Sequence, residues 1–345
     1  MEKKVCPIFL AHSGNEPLRE HLELVAKRAS SCAKLFGAEK EAFLAGLIHD
    51  IGKYSNLFLR RLENKEKGLD HWSPGAYITL TKCRWNAFAA ALAIQGHHIG
   101  LQHGFPGSLK KELSLEYLAN NHPLNLRLTE KDPHLLLERF SADGFTFPQE
   151  PESSLYDRFS TPVAGMLDIR MLYSCLVDAD FIETEAHFQR DAAGNRSYRK
   201  PGLELQPEKA LKILLENMYK IRQDSKAETT VNSIRDDLFK TCLEAGTQSP
   251  GIFTLTAPTG AGKTLSMLAF ALKHACTHKN HFKRIIFVIP YLTIIEQTAN
   301  IYREMFSPLF GSQYVLEHHS LAGTREKNSQ DELENDEQRK LLSEN

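Results

Sequence analysis

The sequence predicts two domains: an all-α domain, followed by an incomplete α/β domain built around a phosphate loop. Three observations support this fold class. Apolar residues recur at helical spacing between residues 18 and 187. After about residue 230, β-rich runs alternate with helical ones, as in a parallel α/β sheet. A glycine-rich loop at residues 257–264 lies between a predicted strand and a predicted helix.

In chain order, helices are predicted within residues 18–36, 43–51, 85–93 and 166–182. Prolines interrupt residues 101–160, where we expect helices joined by long loops. The polar stretch 190–207 predicts a boundary, and residues 207–223 predict a connecting helix. Strands are predicted at 252–256, 284–290 and 313–316, with helices from Lys263 and through Phe306, and residues 326–345 are charged and expected to be solvated. We therefore assign residues 1–205 to the first domain, 206–229 to a connecting helix and linker, and 230–345 to the beginning of the second domain.

Composition excludes some classes of function. The 42 Lys and Arg residues balance 43 Asp and Glu residues, for a net charge of −1. Nucleic acid must therefore be bound through local basic stretches rather than through a field of the whole molecule. The 6 cysteines form no closely spaced pair, which excludes a zinc knuckle or a redox motif and fits a reducing cytoplasm. No apolar run predicts a membrane span or a signal peptide, so no membrane partner is expected.

A His-Asp pair at His49 and Asp50, inside an apolar helical stretch, predicts a metal centre. A buried carboxylate is costly unless it is paired or holds a metal. Because adjacent helical residues point about 100° apart, the two side chains can reach one centre from different sides. Lys53, three residues after Asp50, falls on the same face, where it could orient the carboxylate or stabilise phosphate charge.

Further candidate ligands are dispersed along the first domain: His21, His71, His97, His98, Asp178 and Asp180. Imidazole and carboxylate ligands suit Mn, Fe, Co, Ni or Zn. A single histidine is more often structural than a ligand, and we interpret His12, His103, His122, His134 and His187 as structural. The combination is much harder to obtain by chance. Asp178 and Asp180 lie two residues apart on one predicted helix and cannot easily face one site, so the choice between them stays open.

The loop at residues 257–264 has the context of a Walker A motif. The predicted ATP-binding residues are Thr259, Gly260, Ala261, Gly262, Lys263 and Thr264. Backbone N–H groups and the helix N-terminus would hold the phosphates, Lys263 would reach the β- and γ-phosphates, and Thr264 would bind Mg²⁺. No acidic pair follows a later apolar strand, so we expect an incomplete nucleotide module and doubt ATP hydrolysis by this chain alone.

Together these motifs resemble one family, the CRISPR-associated helicase-nuclease of type I systems, which joins an HD nuclease to a superfamily 2 helicase. The matching stretches are Ala11-His-Ser, Leu18-Arg-Glu-His21, residues 46–53, Asp70-His71 with Gly75-Ala76, Gly96-His-His98, and residues 176–185, 256–264, 288–297 and 316–320. The resemblance implies metal ligation by His21, His49, Asp50, His71, His97, His98 and one of Asp178 and Asp180. It also implies that Lys53 corresponds to the lysine of the family's HD motif. The second domain would be RecA-like, with motifs I and Ia only, and Gln297 would contact DNA.

The resemblance further implies that a type I CRISPR RNA-guided surveillance complex recruits the protein to single-stranded DNA. We therefore expect DNA cleavage that depends on one or two divalent ions (Mn, Co, Ni, Fe or Mg), with Asp50 and Lys53 as catalytic residues, and ATP with Mg if the helicase half is complete. One alternative is an HD phosphohydrolase acting on nucleotides. The other is a non-catalytic DNA- or nucleotide-binding docking module with an empty metal site.

Overall fold

A computed structural model describes residues 8–13, 15–102, 111–151, 162–191, 193–198, 202–278 and 282–318. The chain divides into two compact units, Met1–Arg199 and Lys200–Asn345. The predicted segment 326–345 and the structural assignment of His103 lie outside the described residues. Among the described residues, no helix combines the length and apolar character that a bilayer crossing requires.

The first unit is helical. Its helices are α1 (Leu18–Ala33), α2 (Glu39–Ile48), α3 (Asn56–Leu62), α4 (Ser73–Cys83), α5 (Phe88–Gly96), α6 (Leu115–Asn121), α7 (Pro133–Ala142) and α8 (Pro162–Phe188), with 3-10 turns at Lys34–Phe36, Ile51–Tyr54 and Arg84–Ala87. Two short strands, β1 (Leu69–Asp70) and β2 (Arg127–Leu128), pair in parallel. The 27-residue α8 extends the helix predicted for 166–182 at both ends.

The core of this unit lies between α1, α2, α5 and α8. Leu18, Leu22, Val25, Ala29 and Ala33 are fully buried along one face of α1, which confirms the helical periodicity read from the sequence. Each large apolar side chain buried in this way contributes roughly 1.5–3 kcal/mol. The same four helices therefore provide a rigid base beneath the residues of the candidate site.

Glycines at two positions, Gly46 and Gly75, allow close approach between the elements that carry this site. A Cβ on Gly46 would lie 2.6 Å from Cα of Ala26, so this glycine lets α2 pack directly on α1. A Cβ on Gly75 would lie 2.4 Å from the carbonyl oxygen of Ile48 at the end of α2. Since distances below 3.0 Å are not tolerated, these backbones could not come together with any larger residue in place.

The polar stretch predicted as a boundary is divided in the structure. Residues 193–198 fold back on the first unit, where Arg190 and Arg196 form an antiparallel bridge and the Ser197 N–H donates to the carbonyl of Ala186. The division between the units follows at Arg199. Polarity alone did not reveal this docking, because its contacts are ion pairs with residues far away in the sequence.

The second unit contains α9 (Pro207–Gln223), α10 (Thr229–Ala245), α11 (Lys263–Thr277) and α12 (Leu292–Phe310), and a 3-10 turn at Ser312–Tyr314. The helix predicted as a connector, α9, packs against α11 and α12. Its Ala210 and Leu214 are fully buried in a core with Leu268, Leu272 and Phe306. This helix is therefore part of the second unit's core.

The three predicted strands are not formed among the described residues of the second unit. Residues 252–256 and 284–290 have no regular secondary structure, and the first half of the third segment belongs to the 3-10 turn at Ser312–Tyr314. A strand is stabilised by backbone hydrogen bonds to a neighbouring strand, and no such ladder joins these segments. Ile252, Ile286 and Val288 are correspondingly exposed. Apolar composition predicted that these segments are extended, but it does not specify the neighbouring strands with which they would pair.

Candidate metal centre

Asp50 lies at a change of helix type. The α-helix α2 ends at Ile48, His49 still has helical angles, and Asp50 (φ −113°, ψ 22°) precedes the 3-10 turn Ile51–Tyr54. Because a 3-10 helix has three residues per turn, the side chain of Lys53 returns to the side of Asp50. The Lys53 Nζ lies 2.7 Å from Asp50 Oδ2, and the two side chains are 2% and 1% exposed. The predicted proximity of the two residues is therefore present, through a 3-10 turn.

The two oxygens of Asp50 face different histidines. Oδ2 lies 3.3 Å from Nε2 of His49 and 3.7 Å from Nε2 of His21. Oδ1 lies 3.3 Å from Nε2 of His71 and 3.5 Å from Nε2 of His97. These side chains come from α1, the end of α2, the residue after β1, and the end of α5. Asp50 is therefore the shared centre of two groups of imidazole nitrogens.

Helix α8 adds one carboxylate to this cluster. Asp180 Oδ1 lies 3.2 Å from Nε2 of His21 and 3.6 Å from Nε2 of His49. Asp180 is buried, whereas Asp178 is exposed. Two residues apart on an α-helix correspond to a rotation of about 200°, which directs the two side chains to opposite sides. Of the two candidate ligands, Asp180 therefore lies in this cluster and Asp178 lies outside it.

His98 completes the group on the other side of Asp50. Its Nε2 lies 3.0 Å from Nε2 of His71, and the two rings pack edge to face. His98 is partly exposed, while the other members of the cluster are buried. Solvent therefore approaches the centre on the side of His98.

Hydrogen bonds to backbone carbonyls fix the orientation of two rings. His49 Nδ1 donates to the carbonyl of Gly46 at 2.8 Å, and His97 Nδ1 donates to the carbonyl of Ile94 at 2.7 Å. A proton on Nδ1 leaves the lone pair of a neutral ring on Nε2, which in both residues faces the cluster. Such an arrangement is the one that metal-binding histidines use to set their tautomer.

His71 is held by the corner between β1 and α4. Asp70 Oδ1 accepts the N–H groups of Trp72 and Ser73, and its Oδ2 accepts Nε2–H of His122 at 2.9 Å. His122 Nδ1 in turn accepts the N–H of Leu124. His122, interpreted from the sequence as structural, is buried and supports the residue next to a candidate ligand.

The donors fit a divalent cation. Asp50 Oδ1 and the Nε2 atoms of His21, His49 and His97 are buried without a hydrogen-bond partner among the described residues. Each unsatisfied buried polar atom costs about 1–3 kcal/mol. Triplets of donor atoms within 4.8 Å are formed by His21 with His49 and Asp180, by His49 with Asp50 and His97, and by Asp50 with His71 and His98. A cation at such positions would satisfy all these atoms at once.

Protonation follows from burial and from the charges around each group. Burial alone would raise the pKa of Asp50, but the charges of Lys53 and His49 hold it well below its usual value. Burial alone would lower the pKa of His49, but the carboxylates of Asp50 and Asp180 outweigh it and raise the pKa to about 10. Burial lowers the pKa of His71 to about 4, against the attraction of Asp50. At neutral pH the Asp50 carboxylate and the His71 imidazole are thus in the forms that bind metals, whereas His49 must release a proton when it binds an ion.

Sequence reasoning missed Glu16 and left His12 as structural. His12 Nε2 and His21 Nδ1 lie 3.6 Å and 3.7 Å from Glu16 Oε2, and the three side chains form a further buried donor triplet. The sequence offered a weak signal, a histidine and a glutamate four residues apart just before α1. That spacing is not a ligand signature outside a helix.

In the second unit, residues 257–264 form a loop that ends at the beginning of α11. Gly260 and Gly262 have φ of 83° and 82°, which residues other than glycine rarely adopt. The Nζ of Lys263 donates to the carbonyls of Ala257 and Pro258, both at 2.9 Å. In this loop, Thr259 is exposed and Ala261 is buried, and Thr264 is partly buried. Gln297, on α12, is exposed.

Two family models match the chain. Residues 18–133 match the HD domain, and residues 209–342 match the res subunit of type III restriction enzymes. A comparison with curated proteins finds no match. The HD match contains His21, His49, Asp50 and the later histidines and ends before Asp180. The chain therefore consists of a helical HD domain, which is a metal-dependent hydrolase domain, followed by a helicase-type domain.

Proposed function

We propose that this chain is a divalent-metal-dependent nuclease that cuts single-stranded DNA. The observation that carries the proposal is the position of Asp50, whose two oxygens each face imidazole nitrogens. Among these, the Nε2 atoms of His21, His49 and His97 are buried without a hydrogen-bond partner in the described part of the chain. Imidazole and carboxylate donors around a shared carboxylate suit a pair of transition-metal ions. The attached helicase-type domain favours a polynucleotide over a free nucleotide as substrate.

We assign the donors to two cation positions that share Asp50. His21, His49 and Asp180 would hold one ion. His71 and His98 would hold the other, together with His97, which faces the same oxygen of Asp50 as His71 does. When bound, such ions lower the pKa of a coordinated water and neutralise the charge of the scissile phosphate. The chain's own contribution is to hold the rings: the carbonyls of Gly46 and Ile94 keep two Nε2 lone pairs directed inward.

Lys53 serves the same centre. Its ammonium group is buried against Asp50 Oδ2 and keeps that carboxylate ionised. Its second contact is the face of Phe58, 5.3 Å from the ring centroid. We assign Lys53 to the orientation of Asp50 and to stabilisation of the charge that develops on phosphate.

For the second unit we propose ATP with Mg²⁺ as ligand of residues 259–264. Lys263 would exchange the carbonyls of Ala257 and Pro258 for phosphate oxygens. Gln297, exposed on α12, is the proposed DNA contact. The resemblance of the motifs to type I CRISPR helicase-nucleases supports a surveillance complex as the recruiting partner, which binding to a purified complex with and without opened target DNA would test.

The decisive experiment compares two carboxylates of one helix. Linear and circular single-stranded DNA are incubated with the wild type, Asp180→Asn and Asp178→Asn in Mn²⁺, Co²⁺, Ni²⁺ or Mg²⁺. We expect Asp180→Asn to lose at least about 100-fold of the activity, because it removes a ligand charge, and Asp178→Asn to retain it. Cutting of circular DNA identifies an endonuclease.

Equal cutting by the two variants would exclude the proposed centre. Mononucleotides assayed in parallel distinguish the alternatives. Hydrolysis of nucleotides with intact DNA would indicate a phosphohydrolase, and absence of bound metal in the wild type would indicate a docking module.

A further inference from the structure

The histidine cluster has a second layer on the side away from Asp50, centred on Glu16. This side chain is fully buried. Its Oε1 pairs with the guanidinium of Arg196, and its Oε2 lies 3.7 Å from His21 Nδ1 and 3.6 Å from His12 Nε2. Neither Glu16 Oε2 nor His21 Nδ1 has a hydrogen-bond partner among the described residues. The two unsatisfied atoms therefore face each other.

Arg196 holds Glu16 from the segment 193–198, which folds back on the first unit. Its Nη1 donates to the carbonyl of Glu183 at 2.9 Å, and its Nη2 lies 3.1 Å from Oε1 of Glu20. The guanidinium is thus fixed by α8 and α1 together. Since Arg196 occupies Oε1 of Glu16, the other oxygen remains directed at His21.

His21 needs such a partner more than His49 and His97 do. His49 and His97 each place the Nδ1 proton on a backbone carbonyl. His21 Nδ1 has no hydrogen bond to a carbonyl in the described chain, although its Nε2 faces Asp50 and Asp180. For that Nε2 to carry a lone pair, the proton must lie on Nδ1, which faces Glu16.

We propose that Glu16 is a positioning residue that fixes the tautomer and ring orientation of His21, and that Arg196 holds Glu16 for this purpose. The proposal rests on the metal-binding part of the proposed function and extends it beyond the direct ligands. Carboxylates that accept the second N–H of a ligating histidine hold the ring in place and raise its basicity.

A third cation between His12, Glu16 and His21 is less consistent with the same contacts. It would need lone pairs on both nitrogens of His21, and hence an imidazolate. It would also lie beside the guanidinium of Arg196, which already neutralises the Glu16 carboxylate. The carboxylate–histidine pair requires neither.

Replacing Glu16 by glutamine gives a sharp test. Arg196 donates hydrogen bonds, so it will take the amide oxygen of Glu16→Gln and turn the NH₂ group toward His21. An N–H donor facing Nδ1 favours the opposite tautomer, in which the proton on Nε2 blocks the ligand atom. Glu20→Gln is the matched control, because Glu20 also contacts Arg196 but is 45% exposed and lies outside the histidine cluster.

Metal affinity is measured by calorimetric titration with Mn²⁺ or Co²⁺, and the His21 tautomer by ¹⁵N-resolved NMR of the metal-free protein at alkaline pH. We expect Glu16→Gln to weaken binding at one of the two ion positions by about 10- to 100-fold and to move the proton of His21 to Nε2. Glu20→Gln should leave both readouts unchanged. Glu16→Asp, which restores the carboxylate, should recover part of the affinity.

The proposal would be overturned if Glu16→Gln kept the metal affinity and the His21 tautomer of the wild type. If the wild type binds metal but does not cut DNA, the proposed nuclease activity is wrong, and the test of Glu16 by metal affinity and tautomer still applies. If the wild type binds no metal, the proposed function fails, and the proton position on His21 still decides whether Glu16 controls the ring. If Glu16→Gln does not fold, a wild-type His21 with its proton on Nε2 would overturn the proposal by itself.

Discussion

The contact between Gly52 and the residue after β1 provides a direct test of how the fold holds the metal centre. A Cβ at position 52 would lie 2.2 Å from the carbonyl oxygen of His71, 2.8 Å from its carbonyl carbon and 2.8 Å from Oγ1 of Thr129. Two of these atoms belong to the backbone, so the clash cannot be relieved by rotation of a side chain. In Gly52→Ala, the 3-10 turn that bears Lys53 must therefore separate from the strand that precedes His71.

Overpacking of this kind costs about 1–3 kcal/mol. For a unit of this size, each 1 kcal/mol lowers the melting temperature by about 2–4 °C, so we expect a loss of roughly 2–12 °C. Both tryptophans of the chain, Trp72 and Trp85, belong to the first unit, and their fluorescence reports its unfolding selectively. Gly202→Ala is the control, because a Cβ there would meet no atom within 4 Å.

Gly52→Ala should also weaken binding at the ion position of His71 more than at that of Asp180, since the clash is with the backbone of His71 itself. A variant with the melting temperature and both affinities of the wild type would refute the argument that this close approach positions His71. Equal losses in Gly52→Ala and Gly202→Ala would show that the effect is unrelated to the contact.

Two further predictions concern metal removal and thiol chemistry. A chelator should lower the melting temperature of the first unit, because free metal at about 100 times its Kd stabilises the folded state by about 2.7 kcal/mol; a chelator that leaves the fluorescence transition unchanged would contradict metal binding by the folded unit. Burial raises the pKa of both Cys83 and Cys175 to about 11. Alkylation of these thiols at pH 8, followed by mass spectrometry, should therefore be at least about 100-fold slower than in the unfolded chain and should rise with pH, and rapid labelling of the native protein would show that the burial is absent.

The helices were the part of the fold that periodicity predicted well. The buried face of α1 from Leu18 to Ala33 follows the apolar spacing in the sequence, and α12 continues through Phe306 as expected. The strands predicted at 252–256 and 284–290 are not formed in the described part of the chain, because a strand depends on a partner that local composition does not specify. Length and apolar pattern thus predicted the helical elements and left the pairing unresolved.

The candidate site, like the fold, could be predicted from the sequence only in part. Side-chain rotation along α8 separates Asp180 from Asp178, but the sequence did not reveal which face of that helix is turned inward. Glu16 and Arg196 are 180 residues apart, and no local pattern connects them. The dispersed histidines became candidate ligands through their combination with His49 and Asp50, and the resemblance to a family supported them. Their spacing alone does not imply that they meet.

The arrangement of the donors implies that metal binding and folding of the first unit are coupled. The side chains around Asp50 come from α1, the end of α2, the residue after β1, the end of α5, and α8. Neither of the two ion positions therefore exists in an unfolded chain. Without a cation, their buried nitrogens and oxygens remain unsatisfied, and this cost opposes the same packing that places them. The close approaches at Gly46, Gly52 and Gly75 and the ion pair of Glu16 with Arg196 hold these elements together against that cost. We therefore expect variants that loosen these contacts to lose metal affinity and stability together, whereas ligand variants such as Asp180→Asn should lose affinity while the metal-free protein keeps its stability.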